Sequence, residues 1–319
     1  MLYYGSEVMS LSALQEIWED KLEPVYPTKV NQEGMVPAPQ WQTNRWPKPL
    51  VANPKPRVLI PVFPGTNCEY DTAKPFNAVG AEPEIFVIRN QTQEAIRESA
   101  EAFAKRLRES QILFIPGGFS GGDEPDGSGK FIEAFLRNGR VSEALTDLLD
   151  ARLGLVCGIC NGFQALIKLG LVPYGKITPA DEESPTLTFN SIGRHQSRIV
   201  RTRVASNKSP WLQLMNVGET RLVPISHGEG RLVAPERVLK LLGDNGQIVT
   251  QYADESGRPS MSIRHNPNNS MWAIEGICSP DGRVLGKMGH CERLGNGLYR
   301  NVPGNYNLGL FRSAVNYYR

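Results

Sequence analysis

The stretch Gly154-Leu-Val-Cys-Gly-Ile-Cys-Asn-Gly-Phe-Gln-Ala-Leu166 decides the fold. An apolar run with the character of a buried strand breaks at Gly158-Ile-Cys-Asn-Gly162. A helical pattern follows, with Phe163, Leu166, Ile167 and Leu169 on its apolar side. A strand that turns sharply into a helix lifts the corner residue out of the sheet. It also aims the first free N–H groups of the helix at whatever binds there. With Cys160 on that corner, the turn has the form of a nucleophile elbow carrying cysteine in place of serine.

Upstream, from Arg57, strand and helix patterns alternate. Val58–Phe63, Glu84–Ile88, Ile112–Ile115 and Leu153–Ile159 read as strands. Asp71–Val79 and Thr92–Ser110 read as helices between them, and helical segments near Phe131–Leu136 and Ser142–Leu149 lead to the fourth strand. This alternation predicts right-handed crossovers, hence an α/β fold whose mostly parallel central sheet is flanked by helices. Sites in such sheets lie at the carboxyl ends of the strands. The third and fourth strands end in glycine-rich corners, Pro116-Gly-Gly-Phe-Ser-Gly-Gly122 and the elbow. Beyond Leu171 the chain becomes β-rich, with Ser197–Val204, Arg221–Ile225, Gln247–Tyr252, Met271–Ile277 and Arg283–Met288 predicting a smaller antiparallel portion. The residues after Arg293, notably Asn301–Asn307, read as a tail.

Residues 1–56 differ in character. Ser12-Ala-Leu-Gln15 fits a capping box, Leu14, Ile17, Trp18 and Leu22 share a helical face, and Pro24 ends the pattern. Pro27 to Pro56 is rich in proline and polar residues, which predicts an extended linker lying on another body. Two regions are therefore expected: a helix-plus-linker docking extension over 1–56 and one catalytic domain over 57–319.

The chain has 319 residues, 40% of them hydrophobic, and a net charge of +2. That balance points to neither nucleic acid nor a membrane surface as partner. No apolar run is long enough to span a bilayer, and the N-terminus lacks a signal-peptide pattern. Cys68, Cys157, Cys160, Cys278 and Cys291 are too scattered for a disulfide framework, so a reducing, cytoplasmic setting is expected.

A thiol becomes a strong nucleophile when a helix N-terminus and an imidazole hold it as thiolate. Of His195, His227, His265 and His290, the last follows a strand candidate and has Glu292 two residues on. Positions i and i+2 of extended backbone project to the same side, so Glu292 is placed to fix the tautomer of His290. Gly117-Gly118 and the Asn161 N–H are the candidate oxyanion donors.

Taken together, Gly158-Ile-Cys-Asn-Gly-Phe-Gln164, Pro116-Gly-Gly-Phe-Ser120 and His290-Cys-Glu292 resemble a class I, triad-type glutamine amidotransferase with a flavodoxin-like sheet. Pro64–Asp71, His227-Gly-Glu-Gly-Arg231, Asn266–Ser270 and Ser279–Arg283 narrow the resemblance to the glutaminase of phosphoribosylformylglycinamidine synthase, from about Val58 to Arg293.

The resemblance implies that Cys160 attacks the glutamine side-chain amide, with His290 as proton carrier and Glu292 as its orienter. Gly118 and Asn161 would stabilise the oxyanion, and Gln164 would help hold glutamine. Ammonia would pass to a synthetase domain or subunit, where ATP chemistry converts formylglycinamide ribonucleotide to its amidine. No Gly-x-x-x-x-Gly-Lys-Ser/Thr loop is present, so ATP and Mg are expected in that partner, with no cofactor or metal in this chain. On its residues alone, the polar, glycine-rich stretch His227-Gly-Glu-Gly-Arg231 reads as a loop in which His227, Glu229 and Arg231 face a partner or channel. Where the family commonly has Met-Pro-His-Pro-Glu-Arg, this chain reads Met288-Gly-His-Cys-Glu-Arg293, a less rigid corner with a second thiol beside the base.

Other readings stay open on the residues alone. Cys157 and Cys160 form a Cys-x-x-Cys without the second pair that zinc would require. Cys68 is a rival nucleophile on an earlier strand–helix corner, and His227 a rival base. The Gly121–Gly129 stretch reads as a lid or partner loop, because its acidic residues oppose an anion. A different triad amidotransferase, a cysteine peptidase on the same sheet and a non-catalytic scaffold are the alternatives.

Overall fold

The computed structural model describes residues 1–5, 7–21, 36–121 and 129–319. Leu22 and Pro24, the first part of the expected linker and most of the Gly121–Gly129 stretch lie outside the described residues.

In chain order the elements begin with β1 (Leu2–Tyr4), β2 (Glu7–Met9) and α1 (Leu11–Asp20). From Arg57 the chain continues as β3 (Arg57–Val62), α2 (Glu69–Ala78), β4 (Glu82–Val87), α3 (Gln93–Glu109) and β5 (Ile112–Ile115). Next come α4 (Lys130–Leu136), α5 (Gly139–Thr146), β6 (Leu155–Ile159), α6 (Asn161–Leu169) and the single turn α7 (Leu171–Tyr174). The remainder is β7 (Thr186–Phe189), β8 (Gln196–Val204), β9 (Thr220–His227), β10 (Glu229–Val233), α8 (Glu236–Asp244), β11 (Ile248–Tyr252), β12 (Ile274–Cys278), β13 (Val284–Lys287) and α9 (Leu310–Tyr317).

One nine-stranded sheet organises the molecule, in the order β4-β3-β5-β6-β13-β12-β11-β8-β9. Its first five strands are parallel and the rest join antiparallel, so most of the β-rich half extends the same sheet, while β7 and β10 pair antiparallel in a small sheet of their own. β5 and β6 are buried along their whole length, which is why they read as unbroken apolar runs. Helix α3 starts where the Thr92 hydroxyl accepts from the Ala95 N–H, and it buries Ala100, Phe103, Ala104 and Leu107 against the sheet.

Three local expectations are corrected. Ser10, not Ser12, caps α1: its backbone is extended and its hydroxyl accepts from the Ala13 N–H. The residues after Arg293, which read as a tail, include α9. Phe311 of α9 packs on Phe76 and Phe114 with ring centroids 4.9 and 5.8 Å away, and the Tyr318 hydroxyl donates to the Gln111 carbonyl. Met271–Ala273 is a 3₁₀ turn, and the strand begins only at Ile274. Residues 36–56 run along the sheet domain, where the Trp41 N–H donates to Ala205 and the Trp46 indole N–H to Asn207.

Candidate active site

The site forms where β5, β6 and β13 end side by side. β6 runs parallel to both neighbours, with Gly158 opposite Ile115 and Gly286. The chain then turns at Cys160, whose φ of 51° and ψ of −105° put a non-glycine residue in a conformation L-amino acids rarely adopt. Helix α6 can begin so abruptly because Gly162 lies against the Ile115 carbonyl, where a Cβ would overlap it. Asn161 is the first helical residue, so its N–H has no acceptor within the helix. The Cys160 N–H donates to the Lys287 carbonyl, 2.9 Å away, which ties the elbow to the last residue of β13.

Three residues past that strand lies His290, buried, with its Nδ1 2.6 Å from Glu292 Oε1. Its Nε2 is buried with no hydrogen-bond partner in the protein and is the ring nitrogen left for chemistry. Burial alone would favour a neutral ring. The Glu292 carboxylate and then Cys160 outweigh it and hold the His290 pKa well above the ordinary histidine value. Burial likewise opposes ionisation of Glu292, but His290 draws its pKa below the usual carboxylate value. Both directions favour imidazolium beside carboxylate, the form in which a ring can deliver a proton to a leaving group.

Gly117 lies between the Cys160 elbow and the His290 corner. A Cβ there would lie 2.5 Å from His290 Cε1 and 3.4 Å from Cys160 Cβ. Only glycine lets the backbone after β5 pass between them. Gly118 packs on the Thr66–Asn67 backbone, bridged to Thr66.

Asn161 and Gln164 form part of a buried amide relay. The Ser120 N–H donates to Asn161 Oδ1, Asn161 Nδ2 to Gln164 Oε1, and Gln164 Nε2 to the Glu229 carbonyl at 2.6 Å. The relay binds the loop after β5, the elbow and β10 into one wall. His227 and Glu229, read as part of a glycine-rich loop, instead end β9 and begin β10 and are buried; Arg231 is half-buried on β10. His227 Nδ1 meets Asn190 Oδ1 at 3.2 Å. Burial first, then the charge on His290, pushes the His227 pKa down to about 3, so it stays neutral and unsuited to the proton-carrying role.

Cys68 stands closer to the site than its sequence position suggested. Its Sγ lies 3.7 Å from His290 Nδ1 and accepts from Arg293 Nη2 at 3.3 Å. Ligand atoms of Cys68, His290 and Glu292 fall within 4.8 Å of one another. The Arg293 guanidinium on the sulfur adds positive charge where a metal ion would sit, and Glu292 is already engaged with His290. Cys291, the second thiol beside the base, is buried and its pKa is pushed up to about 12 by that burial, so it remains a neutral thiol. All five cysteines are free and buried.

Sequence reasoning missed Glu275 and Lys287, both buried beneath the His290 corner. The available signal was a charged residue inside each of two apolar strands, Ala273-Ile-Glu-Gly-Ile-Cys278 and Val284-Leu-Gly-Lys-Met288. Among the described residues, no helix is long and apolar enough to cross a membrane.

Comparison with known proteins adds four findings. A family model described as the CobB/CobQ-like glutamine amidotransferase domain matches residues 55–318. The phosphoribosylformylglycinamidine synthase subunit PurQ of Methanococcus maripaludis is 35% identical over 239 residues, 75% of this chain and 82% of that protein. PurQ of Archaeoglobus fulgidus is 32% identical over 82% of this chain and 96% of its own length. Among solved structures, a chain of PurLQS from Thermotoga maritima superposes with a TM-score of 0.58 at 26% identity, covering 83% of this chain and all of that one.

Proposed function

The chain belongs to the CobB/CobQ-like glutamine amidotransferase domain family, and from that premise we propose that it is the glutaminase component of phosphoribosylformylglycinamidine synthase, working through Cys160, His290 and Glu292. The observation that carries the triad is the approach of the elbow and the His290 corner on either side of Gly117. The PurQ relatives and the PurLQS neighbour support the reaction and the partner.

The Cys160 thiolate attacks the side-chain amide carbon of glutamine. The negative charge passes to the amide oxygen, beside the backbone N–H groups of Gly118 and Asn161. As the C–N bond breaks, His290 Nε2 gives its proton to the departing nitrogen, and ammonia leaves a glutamyl thioester on Cys160. A water molecule, deprotonated by the now neutral His290, attacks the thioester and releases glutamate. Glu292 holds the ring in one tautomer and stabilises its charge throughout. Gln164 acts through the amide relay, holding the elbow against the wall formed by His227 and Glu229, with Arg231 toward the partner.

Ammonia then enters the synthetase partner, where ATP and Mg activate the amide oxygen of formylglycinamide ribonucleotide and ammonia replaces it to give the amidine. Residues 57–319 form the amidotransferase domain, and residues 1–56 an extension that docks. Five free thiols support a cytoplasmic setting.

The test is Cys160→Ala in the reconstituted synthetase. Glutamine-dependent amidine synthesis is expected to disappear while ammonia-dependent synthesis remains. Surviving glutamine-dependent turnover would show that another group is the nucleophile.

A further inference from the structure

The backbone carrying His290, Met288-Gly-His-Cys291, contains no proline and belongs to no strand. Such a corner would be loose unless its peptide groups were held. Each N–H is accounted for. The Met288 N–H donates to the Glu275 carbonyl at 3.1 Å, the His290 N–H to the Pro224 carbonyl at 2.8 Å, and the Cys291 N–H to the Gly289 carbonyl at 3.0 Å. The peptide groups of Gly289 are also held by side chains. Its N–H donates to Glu275 Oε1 at 2.6 Å, and its carbonyl accepts from Lys287 Nζ at 3.0 Å.

Those two side chains are an ion pair, with Lys287 Nζ 2.9 Å from Glu275 Oε1 and both groups fully buried. The Thr250 hydroxyl donates to Glu275 Oε2 at 2.5 Å. Burying two charges costs about as much as their attraction returns, so this pair is weak evidence of stability for its own sake. Its placement is more informative. The Lys287 carbonyl accepts the Cys160 N–H, while the Lys287 ammonium holds the Gly289 carbonyl one residue before His290. One residue thus touches the backbone of the nucleophile and the backbone that carries the base.

We propose that the buried Lys287–Glu275 pair is a positioning device that sets His290 against Cys160 by clamping both peptide groups of Gly289. Neither side chain is a catalytic residue; both act through the backbone of the corner. The proposal rests on the reading of Cys160 and His290 as nucleophile and proton carrier.

The deciding variant is Lys287→Met with Glu275→Leu in the intact synthetase assembly. Removing both charges for apolar groups of similar size leaves no unpaired ion, and the Gly289 N–H and Thr250 hydroxyl lose their acceptor, so the melting temperature is expected to fall modestly with the protein still folded. A displacement of the ring by about 1 Å lowers rate by about 100-fold, so kcat for glutamine hydrolysis is expected to fall by that order. KM for glutamine and ammonia-dependent synthesis should hold, because neither group touches substrate. A folded double variant with kcat within about twofold of the parent overturns the proposal, the misplacement cost being far larger.

Should that variant fail to fold, Lys287→Met with Glu275→Gln replaces it. The amide that Glu275→Gln introduces keeps an acceptor for the Gly289 N–H, and only the ammonium clamp is lost. About a tenfold fall in kcat at unchanged KM is then expected, and no fall overturns the idea. Cys160→Ala measured alongside separates the two levels: glutamine turnover surviving there refutes the nucleophile assignment, whatever Lys287 does.

Discussion

Replacing His227 by glutamine should relieve an acid-sensitive strain on the fold. The imidazole is buried beside Asn190, and its pKa is pushed down to about 3 from an ordinary 6.5, by burial first and by the charge on His290 next. Between those values the unfolded chain binds a proton that the folded chain refuses. Stability therefore rises with pH across this window, and the penalty is absent above 6.5 and grows as pH falls toward 3. At about 1.4 kcal/mol per pH unit, moving from about pH 8 to about pH 5 costs the parent about 2 kcal/mol through this residue.

His227→Gln keeps a donor for Asn190 Oδ1 and has no proton to gain. Contributions from groups present in both proteins cancel in the comparison. Unfolding followed by denaturant titration at both pH values should show the parent losing about 2 kcal/mol more than the variant. In thermal melts the same difference is about 3 °C, taking about 2.1 cal/mol/K per residue for the unfolding entropy. Equal acid losses in the two proteins would mean that His227 is protonated in the native state. His227 would then be able to serve as a proton carrier.

Two further substitutions test the site geometry. Gly117→Ala places a methyl group 2.5 Å from His290 Cε1; glutamine-dependent turnover is expected to fall by about 100-fold, the cost of an ångström-scale displacement. Thioester accumulation followed by quench-flow checks it, and normal accumulation would place the ring elsewhere. Glu292→Gln keeps the size of the partner at Nδ1 but removes the charge that holds the His290 pKa up. A fall of about 10²- to 10⁴-fold in kcat is expected, with the ring's pKa, read by NMR titration, moving down toward or below the ordinary histidine value. An unchanged titration would sink the ion-pair account.

Much of the catalytic half was legible in residue order. Unbroken apolar runs such as Ile112–Ile115 can be satisfied only by burial on both faces, and the helices between them leave parallel crossovers as the solution. Gly158-Ile-Cys-Asn-Gly162 marks its corner for a local reason: glycine on either side of the thiol permits a turn this sharp. Glu292 two residues after His290 is likewise a local relation; the two meet at 2.6 Å, although residues 291–292 form a turn in place of the extended backbone expected.

What the chain order left undecided is everything that depends on side chains meeting across the sheet. Cys68 became a neighbour of His290 because β3 and β13 belong to one sheet, and no spacing in the sequence encodes that approach. Asn266–Ser270 and Ser279–Arg283, which carried the resemblance, prove to be buttresses. Asn268 Nδ2 donates to the Gly230 carbonyl behind His227, and Asp281 caps its own turn through the Arg283 N–H. α9 escaped notice because its apolar face has meaning only against Phe76 and Phe114, far earlier in the chain.

Sequence by itself determined the parallel sheet, the elbow at Cys160 and the pairing of His290 with Glu292. Each rests on a period or a turn that neighbouring residues impose. Tertiary structure decided which groups stand within reach of the site, and with what charge. A buried lysine, a neutral His227 and a protonated His290 differ only in what surrounds them, and those surroundings come from strands the chain order keeps apart.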